Sequence, residues 1–192
     1  MTAHPPPFDR RRFLHHGARL AVSATAIASL ASARAAQGPP ADTTASRALN
    51  LAHNHTGERI ELVFAQGQRY LPDALQALNH FLRDHYSGEV GRIDPRLFDM
   101  MHRVQQTLGS GTAYEVISGY RCSATNERLR RQGGGGVTRR SLHMDGQAID
   151  VRLRGVALSD LHAAARGLAA GGVGYYQRDR FVHLDTGRPR HW

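Results

Sequence analysis

The sequence predicts an α+β domain, a small central antiparallel sheet with N-terminal helices packed on one side. Three observations carry this. Two stretches with apolar residues at helical spacing come early, at 71–88 and 94–109. Short segments of alternating polarity cluster late, which is the order of an α+β chain. No internal repeat is present that would suggest a solenoid or an array.

The first element precedes the domain. Residues 9–14, DRRRFL, are followed by HHGARLAVSATAIASLASARA. A charged start, an apolar Ala-rich stretch and a small-x-small ending make a secretory signal over 1–35, either cleaved at Ala33-Arg34-Ala35 or kept uncleaved as an anchor. The apolar stretch falls short of the ~20 residues that span a bilayer, and Arg19 interrupts its start. No other segment is apolar enough to span, so no stable membrane span is expected in the mature form. Residues 36–47 contain QGPPADTTASR, rich in Pro, Ser and Thr, and read as a linker. The domain is expected over 48–192.

Within it, RALNLAHNHTGERIELVF alternates apolar and polar around an NHTG turn and predicts a hairpin. Leu71, Leu75, Leu78 and Leu82 then mark a helix that Pro72 and Asp73 begin and Gly88 ends. In DPRLFDMMHRVQQTLGSG, Asp94 caps a second helix, Pro95 opens it and Gly109 lies beyond its end. His80, His85 and His102 fall on these two helices and read as surface or packed histidines. AYEVISGYR is a strand running into a turn. SATNERLRRQ is a short helix with Ser123 as its cap. GGGGVTRR is a basic loop; it lacks the Gly-Lys-Ser/Thr ending of a phosphate loop and reads as bordering a site. GQAIDVRL is a strand, SDLHAAARGLAAG a helix capped by Ser159, and GVGYY and FVHLDT are two more strands.

Composition narrows the function. Hydrophobic residues make up 41% of the 192, enough for a core, and the net charge of +9 comes entirely from arginine. Such a surface suits an anionic partner: nucleic acid, anionic lipid or an acidic cell-wall polymer. Residues 1–35 hold five of the arginines and one aspartate, so 20 basic and 15 acidic residues remain beyond them, a balance of +5. That weakens a nucleic-acid partner and favours an exported role. Cys122, the single cysteine, excludes an internal disulfide or a Cys-x-x-Cys metal site and reads as a small half-buried residue.

Strand periodicity then brings chemistry together. In GQAIDVRL, Ile149, Val151 and Leu153 point to the core and Asp150 points the other way. In FVHLDT, Val182 and Leu184 point inward, while Phe181, His183 and Asp185 share the opposite face. If the strands are neighbours, Asp150 and His183 meet, and His143 precedes its strand closely enough to fold back. Two neutral imidazoles and a carboxylate are a usual catalytic zinc set, with a fourth position for water whose pKa falls toward ~7. By spacing alone, a hydrogen-bonded His–Asp pair stabilising a strand end is an equal alternative.

Ser141-x-His143-x-x-Gly146-x-Ala148-x-Asp150 resembles the metal motif of D-Ala-D-Ala dipeptidases, which share a zinc fold with lysostaphin-type peptidases and the hedgehog domain. Ser118-Gly-Tyr-Arg121 resembles the SGYR turn of that group. SGYRCSATNERLRRQGGGG, SLHMDGQAIDVRL and GGVGYY through FVHLDTGRPRHW are together similar to the murein endopeptidase K (YcbK-like) family. The resemblance covers about 45–192. It implies Zn2+ held by His143, Asp150 and His183 on the sheet face away from the helices, in a periplasmic peptidoglycan hydrolase that cuts peptide cross-links. It implies that Arg121 faces substrate, pairing a carboxylate or steadying an oxyanion, with Tyr120 beside it on the same turn as a second substrate-binding residue. Arg10-Arg11-x-Phe13-Leu14 resembles the core of a twin-arginine export signal, with Asp9 where Ser or Thr is usual, which makes the export machinery a partner.

The chain departs from these relatives at the general base. Dipeptidases carry Glu three residues before the last zinc histidine, where Arg180 stands; lysostaphin-like members carry His two before it, where Phe181 stands. Asp185 is the candidate, either as base or as a carboxylate orienting a ligand imidazole. Ser141 reads as a supporting residue, and Tyr175, Tyr176, His191 and Trp192 as groove residues. A zinc-containing peptidoglycan-binding module without catalysis is the alternative from another class. A glycosidase is disfavoured, since no isolated Glu/Asp pair stands out. The sequence leaves open which cross-link is cut, D-Ala to diaminopimelate or diaminopimelate to diaminopimelate.

Overall fold

The structure is a computed structural model describing residues 45–133 and 137–192. The expected signal, and the linker as far as residue 44, lie outside the described residues. Among the described residues no helix is long and apolar enough to cross a membrane.

β1 (Ser46–His53) and β2 (Arg59–Gln66) form the predicted hairpin, with Gly57 at positive φ in its turn. β1 begins two residues ahead of the expected domain start at 48. A two-residue strand, β3 (Arg69–Tyr70), leads into α1 (Pro72–Phe81). α1 stops well short of Gly88 because the Asp84 carboxylate accepts from the backbone N–H groups of Tyr86 and Ser87 and offers the chain a turn instead. His85 therefore lies in that turn and not on the helix.

α2 (Pro95–Thr107) starts as read: Asp94 accepts from Arg96 N at 3.0 Å. β4 (Tyr114–Ser118) precedes α3 (Ser123–Gln132). The cap of α3 is Cys122, whose Sγ accepts from Thr125 N, so Ser123 is already its first residue. Cys122 is buried rather than half-buried. After β5 (Ala148–Leu153), α4 (Leu158–Gly167) begins behind Ala157 without a side-chain cap, and Ser159 sits inside its first turn. β6 (Gly172–Tyr176), β7 (Phe181–Asp185) and β8 (Arg190–His191) complete the chain.

The class is α+β, but the sheet is neither small nor purely antiparallel. Among the described residues eight strands run in the order β3-β2-β1-β4-β5-β7-β6-β8. β1 pairs with β4 in parallel, Leu51 beside Tyr114, and this joins the early hairpin to the late strands. β6 and β8 are also parallel. Such long-range pairing leaves no trace in local alternation, and two-residue strands are too short to show any.

Leu51, Phe64, Leu78, Leu97, Ile149 and Leu184 belong to one continuous core shared by sheet and helices. Each such side chain contributes about 2 kcal/mol by leaving water. The result is a rigid frame in which β5 and β7 are central neighbours.

Candidate metal centre

β5 and β7 are antiparallel, and Asp150 stands directly opposite His183. A cross-strand pair shares one face of the sheet, so the two side chains meet. His183 Nδ1 lies 2.8 Å from Asp150 Oδ1.

His143 reaches them from the loop before β5. That loop is a compact turn: Met144 N donates to Ser141 O, and Gln147 N to Leu142 O. Gly146 permits the turn, with φ 65° and a backbone so close to Arg92 that a Cβ would stand 1.9 Å from its carbonyl oxygen. Arg121 N donates to His143 O at 3.2 Å, which straps the loop to the turn after β4. His143 Nδ1 lies 2.7 Å from Gly119 O and donates to it, leaving Nε2 free to face Asp150 Oδ2 at 3.3 Å.

One ligand atom from each of His143, Asp150 and His183 thus lies within 4.8 Å of the others. The far nitrogen of each ring is tied down, His143 Nδ1 by a carbonyl and His183 Nε2 by Asp185 Oδ2 at 3.1 Å. Ligand imidazoles are ordinarily held this way, because the outer hydrogen bond fixes tautomer and ring plane. A simple His–Asp pair would need neither the third donor nor the second tether. The donor set fits a divalent ion of the zinc type.

The electrostatics agree. Burial favours a neutral Asp150, but the imidazoles of His143 and His183 outweigh it and hold the carboxyl well below the usual range. Burial works against charge on His183 too, yet Asp150 and Asp185 raise it to about 9. The negative field that would keep a proton on His183 is the field a cation answers.

Asp185 is fully buried. Its Oδ1 accepts from Gly172 N, Gly187 N and Arg190 Nη1, and its Oδ2 accepts from Arg190 Nη2 at 2.8 Å. Burial alone would raise its pKa; His183, Arg190 and the Gly187 N–H bring it well below the usual carboxylate value.

The three donors open into a cleft of about 230 Å3. Arg121 lines it, donating to Ser118 Oγ at 3.2 Å and more weakly to Asn126 Oδ1. Arg140 and Thr138 also line it, so the basic loop does border the site. Tyr176, Phe181 and Trp192 form an aromatic wall; Tyr176 stacks on Phe181 and accepts from Trp192 Nε1 at 3.0 Å. Buried Ser141 lines it as well.

Not every expected residue arrives there. Tyr120 is absent from the lining: its ring covers Gly91 and its hydroxyl donates to Glu89. Tyr175 packs on His162, and His191 lies beside Arg166. Two contributors were not singled out by the sequence, the Gly119 carbonyl and Arg190. A carbonyl has no side-chain signature, and an arginine five residues past an aspartate has no recognisable spacing.

The sequence profile of the family described as peptidoglycan L,D-endopeptidase MepK matches residues 41–192. The chain is 46% identical over 150 residues to peptidoglycan L,D-endopeptidase MepK of Escherichia coli strain K12, covering 78% of this chain and 82% of that protein. It is 40% identical over 151 residues to the probable peptidoglycan L,D-endopeptidase MepK of Haemophilus influenzae, covering 78% and 81%. Among solved structures, the L-Ala D-Glu endopeptidase ChiX of Serratia marcescens is 24% identical over 40% of this chain and 62% of its own, with a TM-score of 0.33, too slight a likeness to carry weight.

Proposed function

The chain belongs to the MepK family of peptidoglycan endopeptidases, a metallopeptidase family, and on that premise we propose that it is a zinc-dependent murein endopeptidase of the periplasm. The observation that carries this is the convergence of His143 Nε2, an Asp150 oxygen and His183 Nδ1 at the base of an arginine-bearing cleft. These three would hold the ion. Zn2+, when bound, supplies Lewis-acid polarisation of the scissile carbonyl and acidifies water. Ile149 and Val151, flanking Asp150 in sequence, belong to the helix-packed core, which supports a centre on the opposite face of the sheet.

The remaining work falls to the protein. Arg121, donating only to neutral oxygens among the described residues, has a guanidinium available for a peptide carboxylate or a developing oxyanion. Arg140 adds positive charge at the rim, which suits a carboxylate-rich wall peptide. Tyr176, Phe181 and Trp192 give the peptide a flat surface and narrow the access of bulk water. Asp185 is the orienter of His183 rather than the base: it is buried beneath the site with its oxygens already engaged. Asp150 is the sole carboxylate among the described lining residues.

The relatives' L,D designation favours the diaminopimelate-to-diaminopimelate cross-link, whose bond joins an L-centre carboxyl to a D-centre amine. Purified protein should release monomers from muropeptides with that link, lose the activity to a chelator and regain it with Zn2+. Mass spectrometry showing unchanged dimers would instead mark a binding module. Cleavage indifferent to chelation would end the zinc assignment.

Residues 1–35 serve as a twin-arginine signal, and the residues after it link it to a catalytic domain whose first strand begins at Ser46. A folded reporter fused behind residues 1–47 should reach the periplasm, and R10K with R11K should hold it in the cytoplasm. Export indifferent to both arginines would exclude this route.

A further inference from the structure

The C-terminal segment does more than close the sheet. β8 lies in parallel beside β6, with Arg190 opposite Gly172, and Trp192 O accepts from Tyr175 N at 2.9 Å. This fixes Arg190 over Asp185, where its fork donates to both carboxylate oxygens at 3.0 and 2.8 Å. The guanidinium also lies 4.9 Å from the Trp192 ring. The chain keeps this space clear. A Cβ on Gly172 would stand 2.3 Å from Asp185 Oδ2 and 2.4 Å from Arg190 Nη1; one on Gly187 would stand 2.8 Å from Asp185 Oδ1.

We propose that Arg190 is a positioning residue for His183, acting through Asp185. The inference rests on the metal-centre reading above. A bidentate arginine locks the plane of a carboxylate as a single point charge cannot. With Arg190 and two backbone N–H groups in place, Asp185 has one acceptor direction aimed at His183 Nε2. The proton of the neutral ring is therefore held on Nε2, and Nδ1 turns its lone pair toward Asp150 and the ion position. Without Arg190, Asp185 keeps its burial but loses its fixed plane, and His183 loses a defined tilt.

The test uses the full chain and Zn2+ competition against a chromophoric chelator, for wild type, R190Q, R190K and H191A. His191 is on β8 and exposed but does not touch Asp185, so it reports on the strand alone. Wild type should bind one Zn2+. R190Q should bind roughly 10–100-fold more weakly, the usual effect of losing an outer-shell partner. R190K, which keeps the charge and loses the fork, should fall between, and H191A should stay within about twofold of wild type. The visible spectrum of the Co2+-loaded protein should change in R190Q and not in H191A. Wild type binding no Zn2+ overturns the centre and this inference together. Wild type binding Zn2+ while R190Q matches it in affinity and spectrum overturns this inference alone. Equal losses in R190Q and H191A also overturn it, as they would make β8 mere scaffolding. Should R190Q not fold, R190K decides, and wild-type affinity in R190K refutes the role of the fork.

Discussion

Lowering the pH should destabilise the fold through His53, at the end of β1. Its side chain is 2% exposed and sits among Phe81, His85 and His55, at ring distances of 5.9, 5.5 and 6.1 Å. Its Nδ1 accepts from His55 N, while Nε2 is buried without a partner. Burial, chiefly, lowers its pKa from 6.5 to about 4; His85 and His55 add to this, Glu58 opposes it and Arg83 reinforces it. His85 is lowered to about 4 as well, by burial first, then His55, with Asp84 opposing and Arg121 and Arg128 reinforcing. A histidine with a depressed folded-state pKa binds fewer protons folded than unfolded between the two values. Its contribution is thus complete above pH 6.5 and is lost as pH falls toward 4. For His53 the loss is about 2 kcal/mol by pH 5 and about 3 kcal/mol by pH 4. His183, raised rather than lowered, acts in the opposite window, above 6.5.

Urea unfolding at pH 7, 6, 5 and 4, with chelator present so that the metal centre is not the source, measures this. H53L removes the ionisation at similar volume. It leaves the His55 N–H without its acceptor, a cost of about 1 kcal/mol at every pH, so the slope and not the absolute stability is diagnostic. The slope of H53L between pH 6.5 and 4 should be distinctly flatter. Parallel curves for the two proteins would refute the reasoning.

Three substitutions probe other parts of the argument. G146A forces a side chain onto φ 65° and into the Arg92 carbonyl; it should cost more than about 2 kcal/mol by urea unfolding, and an undiminished midpoint would show that the loop tolerates a shift. D94A removes the α2 cap and the acceptor for Thr186 Oγ1, which lies 2.8 Å from Asp94 Oδ2 just past β7; it should cost about 1–2 kcal/mol. R121K keeps the charge beside the cleft but not the fork; kcat/KM on cross-linked muropeptides should fall about 10–100-fold while Zn2+ stoichiometry stays at wild type. Equal loss of metal in R121K would assign Arg121 a structural role.

What the sequence made legible follows the range of each physical signal. Alternation with period two is local and strict, so it assigned Asp150 and His183 to a shared face correctly once their strands proved to be neighbours. The Asp94 cap and the Pro95 start of α2 were readable because both lie next to the helix they serve. His143 lies outside any strand; its nearness to β5 made it a candidate, and the motif resemblance favoured the three-residue set over a plain His–Asp pair. The sheet order was not readable, because the β1–β4 pairing spans more than sixty residues and depends on which edges remain free after the hairpin forms. The end of α1 was missed for a comparable reason: Asp84 breaks the helix with help from Cys122 N, which its other oxygen accepts from 38 residues away.

Asp185 marks the boundary of this kind of inference. Two residues past His183, it had to share that face, and face-sharing made base and orienter equally good. The difference is depth. A carboxylate that takes a proton from water must present an oxygen to the cleft; one that orients a ring must be held beneath it. Depth is set by the donors that surround the carboxylate, and here those come from Gly172 on β6, Gly187 beyond β7 and Arg190 on β8. None of these is specified by the spacing of His183 and Asp185. The same alternation therefore serves either chemistry, and the donors around Asp185, Arg190 on β8 among them, are what support the orienting role proposed above.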